Sequence, residues 1–155
     1  MKTGLTICAV SMALAATAAH ARPPSLVGKW RLNPKETETL PGEEAPAELV
    51  MAITRDDGKA FEWTVTVRMA DGAAGSTRFS GAIDGKPYPV EGRPGSTSAF
   101  SWLPDGTLKQ VSDQKAGFVV EICEFSNGMK KMECSARQTD MKGMVNTYVE
   151  SFDRL

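Results

Sequence analysis

Two cysteines have the residue type and spacing that point most directly to chemistry in this 155-residue chain. Cys123 and Cys134 flank Asn127-Gly128, a dipeptide typical of β-hairpin turns, so we expect them on neighbouring antiparallel strands. With Asn127-Gly128 as the turn the cysteines are diagonal neighbours, and with Gly128-Met129 as the turn they face each other directly. Either register places both on one face of the sheet, which favours a structural disulfide.

Other cysteine chemistry fits the sequence less well. A redox pair typically has the spacing Cys-x-x-Cys, which Cys123 and Cys134 do not have. A closed zinc site needs four ligands, and two cysteines without histidine fall short of that number. We therefore predict no metal site.

An export signal is predicted at the start of the sequence. The positive Lys2 precedes an apolar stretch, residues 5–16, and the small residues Ala19 and Ala21 then offer a cleavage site. We interpret residues 1–21 as a cleaved signal peptide, which predicts a periplasmic or secreted location. The apolar stretch is shorter than the roughly 18 residues of a membrane span, so no integral membrane segment is expected after cleavage.

The single domain that remains, residues 22–155, has no histidine, because the only histidine of the chain is His20. Triads built on Ser-His-Asp or Cys-His are therefore excluded from it, and we assign no catalytic residue. Proton transfer by a carboxylate or a tyrosine is the enzymatic chemistry that stays open, with Glu124, Tyr88 and Tyr148 as candidate bases.

Charge and composition exclude other classes of protein. The chain has 18 Lys and Arg residues against 19 Asp and Glu, a net charge of −1, so it has no basic excess for binding nucleic acid. A hydrophobic content of 41% and a charged content of 24% fit a compact globular domain. Adjacent carboxylates in predicted turns and loops, Asp56-Asp57 and Glu43-Glu44, are expected to be solvated, and no cofactor is predicted.

Turn-forming pairs such as Asp71-Gly72 and Asn127-Gly128 recur at nearly regular intervals along the domain. Between them apolar and polar side chains alternate, most clearly at residues 61–69, where the period of two indicates a half-buried strand. This pattern predicts an all-β fold, an antiparallel up-and-down β-barrel of about eight to nine strands, with no long helix. The predicted strands are residues 27–33, 48–55, 60–69, 76–84, 97–103, 107–112, 117–125, 129–139 and 144–152.

Two segments of the sequence resemble small exported bacterial proteins that have a lipocalin-like β-barrel and are mostly of unassigned function. The first is Gly-Lys-Trp-Arg-Leu-Asn at residues 28–33, and the second is Ile-Asp-Gly-Lys-Pro-Tyr-Pro-Val-Glu-Gly at residues 83–92. The resemblance implies a lipocalin-like barrel, a fold that hosts many functions.

The Gly-x-Trp of the first segment is also similar to the opening of lipocalins. In that family the tryptophan plugs the closed end of the barrel, and an arginine from a late strand stacks on it. The similarity implies this role for Gly28 and Trp30, with Arg154 or Arg137 as the stacking arginine.

Aromatic side chains on the predicted strands are candidates to line a cavity for a small apolar ligand inside the barrel. They are Trp63, Phe61, Phe79, Phe100, Trp102 and Tyr148. The leading hypothesis is an exported barrel that binds a small apolar or amphipathic molecule and performs no chemistry. Two alternatives stay open: an envelope interaction or inhibitor protein with a filled barrel, and a histidine-free isomerase, cyclase or lyase that uses tyrosine or carboxylate.

Overall fold

The computed structural model describes residues 25–40, 42–115 and 117–155; the predicted signal peptide, residues 1–21, lies outside them. The strands are β1 Gly28–Leu32, β2 Glu48–Asp56, β3 Ala60–Arg68, β4 Ala74–Ala82, β5 Tyr88–Glu91, β6 Thr97–Trp102, β7 Leu108–Gln114, β8 Gly117–Ser126, β9 Lys131–Asp140 and β10 Val145–Arg154. Within the described ranges, no helix has the length and apolar character needed to span a membrane.

The ten strands form a closed antiparallel barrel in which consecutive strands are neighbours. β1 closes it by pairing with β2 on one side and with β10 on the other. The predicted all-β antiparallel barrel is thereby confirmed, with ten strands instead of eight to nine. The additional strand, β5, has four residues, contains Pro89 and makes two residue pairs with each neighbour. Such a short segment lacks the alternation that indicates a strand in a sequence.

Side-chain alternation decides which residues face the barrel interior. In β3, Phe61 and Trp63 are buried, whereas Glu62 between them is more accessible. Phe79 of β4 lies opposite Trp63 in the register, with ring centroids 5.8 Å apart. Phe100 of β6 meets Phe61 at 4.9 Å and Phe79 at 4.8 Å, both edge to face. Because burying aromatic rings removes a large apolar area from water, this cluster anchors the core.

Trp30 fills one end of the barrel, which we call the closed end. Its side chain is fully buried, and its indole Nε1 donates a hydrogen bond to the Leu26 carbonyl oxygen at 2.9 Å. The Arg154 guanidinium lies over the ring, 5.3 Å from the centroid, so Arg154 and not Arg137 is the stacking arginine. Gly28 has a φ of +148°, and a Cβ there would lie 3.1 Å from Arg154 Nε, which explains the glycine at this position.

Asp56 departs from the expectation that the Asp56-Asp57 pair is solvated. It is only 8% exposed, and its Oδ2 accepts a hydrogen bond from the Leu26 backbone N–H at 2.9 Å. A β-bulge between Ile53 and Arg55 shifts the alternation of β2, so this carboxylate turns inward at the closed end. Asp57 remains exposed and binds the Arg55 side chain.

The predicted disulfide is confirmed between Cys123 of β8 and Cys134 of β9, whose Cα atoms are 4.0 Å apart. The two residues face each other directly in the register, which is one of the two predicted arrangements. The connection between the strands has four residues, 127–130, instead of a two-residue turn. Asn127 and Met129 both have positive φ, 52° and 68°, and this left-handed backbone lets the longer connection close.

Candidate ligand cavity

The barrel encloses a cavity of about 430 Å³, a size typical of small-molecule sites. Apolar side chains next to the closed end form its floor. They include Ile53, Phe61, Trp63, Phe100, Met132 and Phe152. The opposite end, its mouth, is lined by the β1–β2 connection and the β5–β6 turn, which contribute exposed residues such as Glu43, Glu44 and Arg93. The cavity is therefore apolar at depth and charged at its entrance.

A row of side chains crosses the cavity wall between floor and mouth. The register pairs Gln110 of β7 with Glu121 of β8. It then pairs Glu121 with Ala136 of β9, and Ala136 with Tyr148 of β10. Directly paired residues on neighbouring strands point to the same face, so these side chains share the barrel interior. The small Ala136 leaves room between Glu121 and Tyr148.

Glu150 adds a second carboxylate beside this row. It lies two residues after Tyr148 on β10 and pairs in register with Cys134, one step nearer the closed end. Both Glu121 and Glu150 line the cavity, and within the described part of the chain neither side chain makes a hydrogen bond or an ion pair. Two enclosed carboxylates without partners carry an unfavourable desolvation free energy.

Burial and mutual repulsion shift the ionisation of these groups. Loss of hydration and then the charge of Glu150 raise the pKa of Glu121 to about 8, while the positive charge of Arg93 opposes the shift. Burial also raises the pKa of Glu150, again opposed by Arg93. Burial, followed by the charges of the two glutamates, raises the pKa of Tyr148, so its hydroxyl stays protonated. The carboxylate pair thus holds a proton far above the pH at which glutamate usually loses it.

The Glu121→Gln substitution is expected to stabilise the protein at alkaline pH but not at acidic pH. Between the ordinary pKa of 4.5 and the folded-state pKa of about 8, the unfolded chain loses the Glu121 proton first, so the free energy of unfolding of the wild type falls as pH rises. Glutamine cannot ionise and avoids this loss. Because the cavity that Glu121 lines opens to solvent at the mouth, the charge is screened in part, and we expect a gain of roughly 2 kcal/mol at about pH 9 and almost none at about pH 4, measured by urea unfolding.

Glu124→Gln is the matched control for this prediction. Glu124 lies on the same strand as Glu121, but its side chain is exposed on the outer face. The control should leave the pH dependence of stability unchanged. An equal gain from Glu121→Gln at both pH values would contradict the shifted ionisation of Glu121.

The β1–β2 connection is held against β10 where it passes the mouth. Glu38 and Val149 form an isolated β-bridge with backbone hydrogen bonds of 2.8 and 3.3 Å. The Glu36 carboxylate accepts a hydrogen bond from Ser151 Oγ at 3.0 Å and pairs with the Lys131 ammonium. The hydrogen bonds from Lys131 and Ser151 hold the pKa of Glu36 below its usual range. These contacts hold the start of the β1–β2 connection against β9 and β10.

The aromatic residues predicted to line a cavity divide between the lining and the surrounding core. Those that line it are Phe61, Trp63, Phe100 and Tyr148. Phe79 does not, because it is fully buried behind Trp63 and Phe100, which pack against its ring. Trp102 also lies outside the lining, because it ends β6 near the closed end and packs on Phe125 with ring centroids 6.1 Å apart.

The three candidate bases lie in different places, and the structure puts only Tyr148 of the three in the cavity. Glu124 is exposed outside the barrel, because it lies three residues from the inward-facing Glu121 and so points to the other side of β8. Tyr88 lies on the closed-end side, where its hydroxyl donates a hydrogen bond to Asp84 at 3.2 Å.

Sequence reasoning missed both carboxylates that do face the cavity. The signal that identifies them is the alternation of side chains along a strand. Glu121 lies two residues from Cys123, and Glu150 lies two residues from Tyr148, so each points to the same face as a residue that faces inward.

Within residues 25–40, 42–115 and 117–155, no group of three or more His, Cys, Asp or Glu side chains is placed to hold a metal ion.

Comparisons with known proteins identify the fold. No family model matches the chain, and no curated protein matches its sequence. The barrel is similar to the wild-type fluorescent protein UnaG, with a TM-score of 0.53, 16% identity and coverage of 83% of this chain and 96% of that one.

Two further similar structures are ligand complexes. One is the Schistosoma mansoni fatty acid binding protein with arachidonic acid, with a TM-score of 0.53, 16% identity and coverage of 84% and 96% of the two chains. The other is the zebrafish ileal bile acid-binding protein with cholic acid, with a TM-score of 0.51, 15% identity and coverage of 84% and 100%. The chain therefore has the fold of the lipocalin-like and fatty-acid-binding-protein-like β-barrels.

Proposed function

We propose that this protein is an exported barrel that binds one small amphipathic molecule in its cavity. The cavity carries the proposal, because about 430 Å³ of space lies above an apolar floor and is crossed by the row of side chains that includes Glu121 and Tyr148. An interaction protein with a filled barrel has no use for such a space. The arachidonic and cholic acids of the two fold neighbours are themselves amphipathic molecules, which supports the same function here.

Export is supported by the chemistry of the two paired cysteines. Disulfides persist in the periplasm and outside the cell, whereas thiols stay reduced in most cytosols. The Cys123–Cys134 bond is therefore consistent with the signal peptide that we predict for residues 1–21. The proposal places the mature chain, from Arg22 onward, in an oxidising compartment.

Native mass spectrometry of the protein purified from its own cell envelope tests both parts of the proposal. We expect the mass of residues 22–155 less two hydrogens for the disulfide, together with a bound molecule that is released on denaturation. Retention of residues 1–21 in a cytosolic protein would contradict export.

Tryptophan fluorescence then tests where a molecule binds, with 1-decanol as a defined amphipathic probe. Trp63 lines the cavity, whereas Trp30 and Trp102 do not. Decanol should change the emission of the wild type and of Trp102→Phe, but not that of Trp63→Phe. Absence of any response in the wild type, together with an empty protein in the mass spectrum, would overturn the binding function.

Proton transfer in the cavity is a second candidate function, favoured by one observation. Glu121 and Tyr148 face the same cavity without a hydrogen bond within the described chain, and a carboxyl group with a pKa of about 8 exchanges its proton near neutral pH. Incubation of the co-purified molecule with the protein in deuterated water separates the two functions. Deuterium at carbon, lost with Glu121→Gln, indicates catalysis, and its absence indicates binding alone.

A further inference from the structure

We propose that the ligand of this cavity is a cationic amphiphile, with a protonated amine held between Glu121 and Glu150 and an apolar body on the aromatic floor. The inference rests on the proposed binding function and names the chemical class of the ligand.

The charges that line the cavity are the first observation. Its described lining contains five carboxylates: Glu38, Glu43, Glu44, Glu121 and Glu150. Arg93 is the one basic side chain among those lining residues, and it is exposed at the mouth. Carboxylates therefore outnumber basic groups from the entrance to the interior. The negative electrostatic potential that they create attracts cations and repels anions.

The placement of the two inner carboxylates is the second observation. Glu121 and Glu150 come from strands on either side of β9 and face the same space, which Ala136 leaves open. Neither makes a hydrogen bond or an ion pair within the described residues, although both are enclosed. Each therefore keeps its acceptor lone pairs for a donor that the described chain does not supply.

A primary ammonium group matches this arrangement. It carries three N–H donors and one positive charge, so it can donate to both carboxylates and to the Tyr148 hydroxyl oxygen. Charge-assisted hydrogen bonds of this kind are roughly twice as strong as neutral ones. When the ammonium group binds, the proton that the carboxylate pair holds is released to solvent, and the positive charge of the ligand takes its place in offsetting the repulsion between the two glutamates. A neutral hydroxyl cannot replace that proton, and a carboxylate adds a further negative charge.

The floor supplies the other half of the specificity. Phe61, Trp63 and Phe100 present aromatic surface on the closed-end side of the carboxylates. An alkyl or aromatic body that extends from the amine toward this surface is removed from water, which contributes affinity in proportion to the apolar area buried. The carboxylates and the floor together select a molecule that is cationic at one end and apolar at the other.

Three probes with one alkyl chain test the head group: decylamine, 1-decanol and decanoate, each titrated by calorimetry at about pH 7.5 and constant salt. We expect the wild type to bind decylamine at least tenfold more tightly than decanol, and decanoate most weakly. The Glu121→Gln/Glu150→Gln double variant should lose the tenfold preference and bind decanol within about threefold of the wild type. Each single variant should lose part of the preference, and thermal unfolding confirms that all variants are folded.

Glu124→Gln/Glu133→Gln is the matched control. These two residues are directly paired on the neighbouring strands β8 and β9, but both are exposed on the outer face. The control should keep the full preference for decylamine, which distinguishes the inner pair from the overall charge of the protein.

The outcomes separate this inference from the binding function on which it rests. Equal affinity for the three probes, tighter binding of decanoate, or an unchanged preference in the inner double variant would overturn the cationic ligand and leave the binding function intact. Binding of none of the three probes would overturn the cationic ligand, and together with an empty protein in native mass spectrometry it would overturn the binding function as well.

Discussion

Replacing Trp30 with alanine is expected to lower the free energy of unfolding by about 4 kcal/mol. The side chain is fully buried at the closed end, so truncation leaves a large void that the surrounding strands fill only in part. The substitution also removes the hydrogen bond to the Leu26 carbonyl and the cation–π contact with Arg154. Urea unfolding followed by circular dichroism measures the loss.

Two further variants serve as comparisons for Trp30→Ala. Trp30→Phe keeps an aromatic ring at the closed end but loses the indole N–H and the volume of the second ring, so it should recover about half of the stability lost in Trp30→Ala. Trp102→Ala removes a tryptophan that is only partly buried, and its loss should be smaller. A loss below about 2 kcal/mol for Trp30→Ala would show that the closed end does not depend on this plug.

Replacing both Cys123 and Cys134 with alanine is expected to cost about 3 kcal/mol of stability. The bond joins residues 11 positions apart, and closing a loop of that length in the unfolded chain accounts for most of this value. For a domain of this size the melting temperature should fall by roughly 10 °C. Thermal unfolding of the double alanine variant and of the wild type with its disulfide formed measures the difference in melting temperature.

The reduced wild type is the control for the double alanine variant. Reductant should lower the unfolding midpoint of the wild type toward that of the variant and leave the variant unchanged. If reductant leaves the wild-type midpoint where it was, the bond contributes nothing to stability and the prediction is wrong.

Much of the barrel was predictable because alternation and turn chemistry are local signals. The segment at residues 61–69 alternates strictly, and the predicted strand coincides with β3 to within one residue. β5 was missed because a four-residue strand with Pro89 in it pairs only through its neighbours, and no local pattern encodes those contacts. The hairpin after β8 shows the same limit, since its register was among the two predicted but the length of its turn was not.

The candidate site was predictable in part. Alternation along β8 places Glu121 on the face of Cys123 and Glu124 on the opposite face, so the choice of Glu124 as an interior base was wrong for a reason that the sequence already contains. Alternation does not decide which inward-facing aromatic side chains line the cavity and which belong to the core. Phe79 and Phe100 both face inward, but only the three-dimensional packing of their rings decides that Phe79 is covered and Phe100 is not.

The disulfide has a consequence for the entropy of binding. Glu121 lies two residues before Cys123 on β8, and Glu150 of β10 pairs in register with Cys134 of β9, so the covalent bond fixes β8 to the strand beside which Glu150 lies. A ligand that meets these groups already fixed does not have to order the hairpin when it binds. Removal of the bond is therefore expected to weaken ligand binding as well as to lower stability, because ordering of the β8–β9 hairpin would then accompany binding.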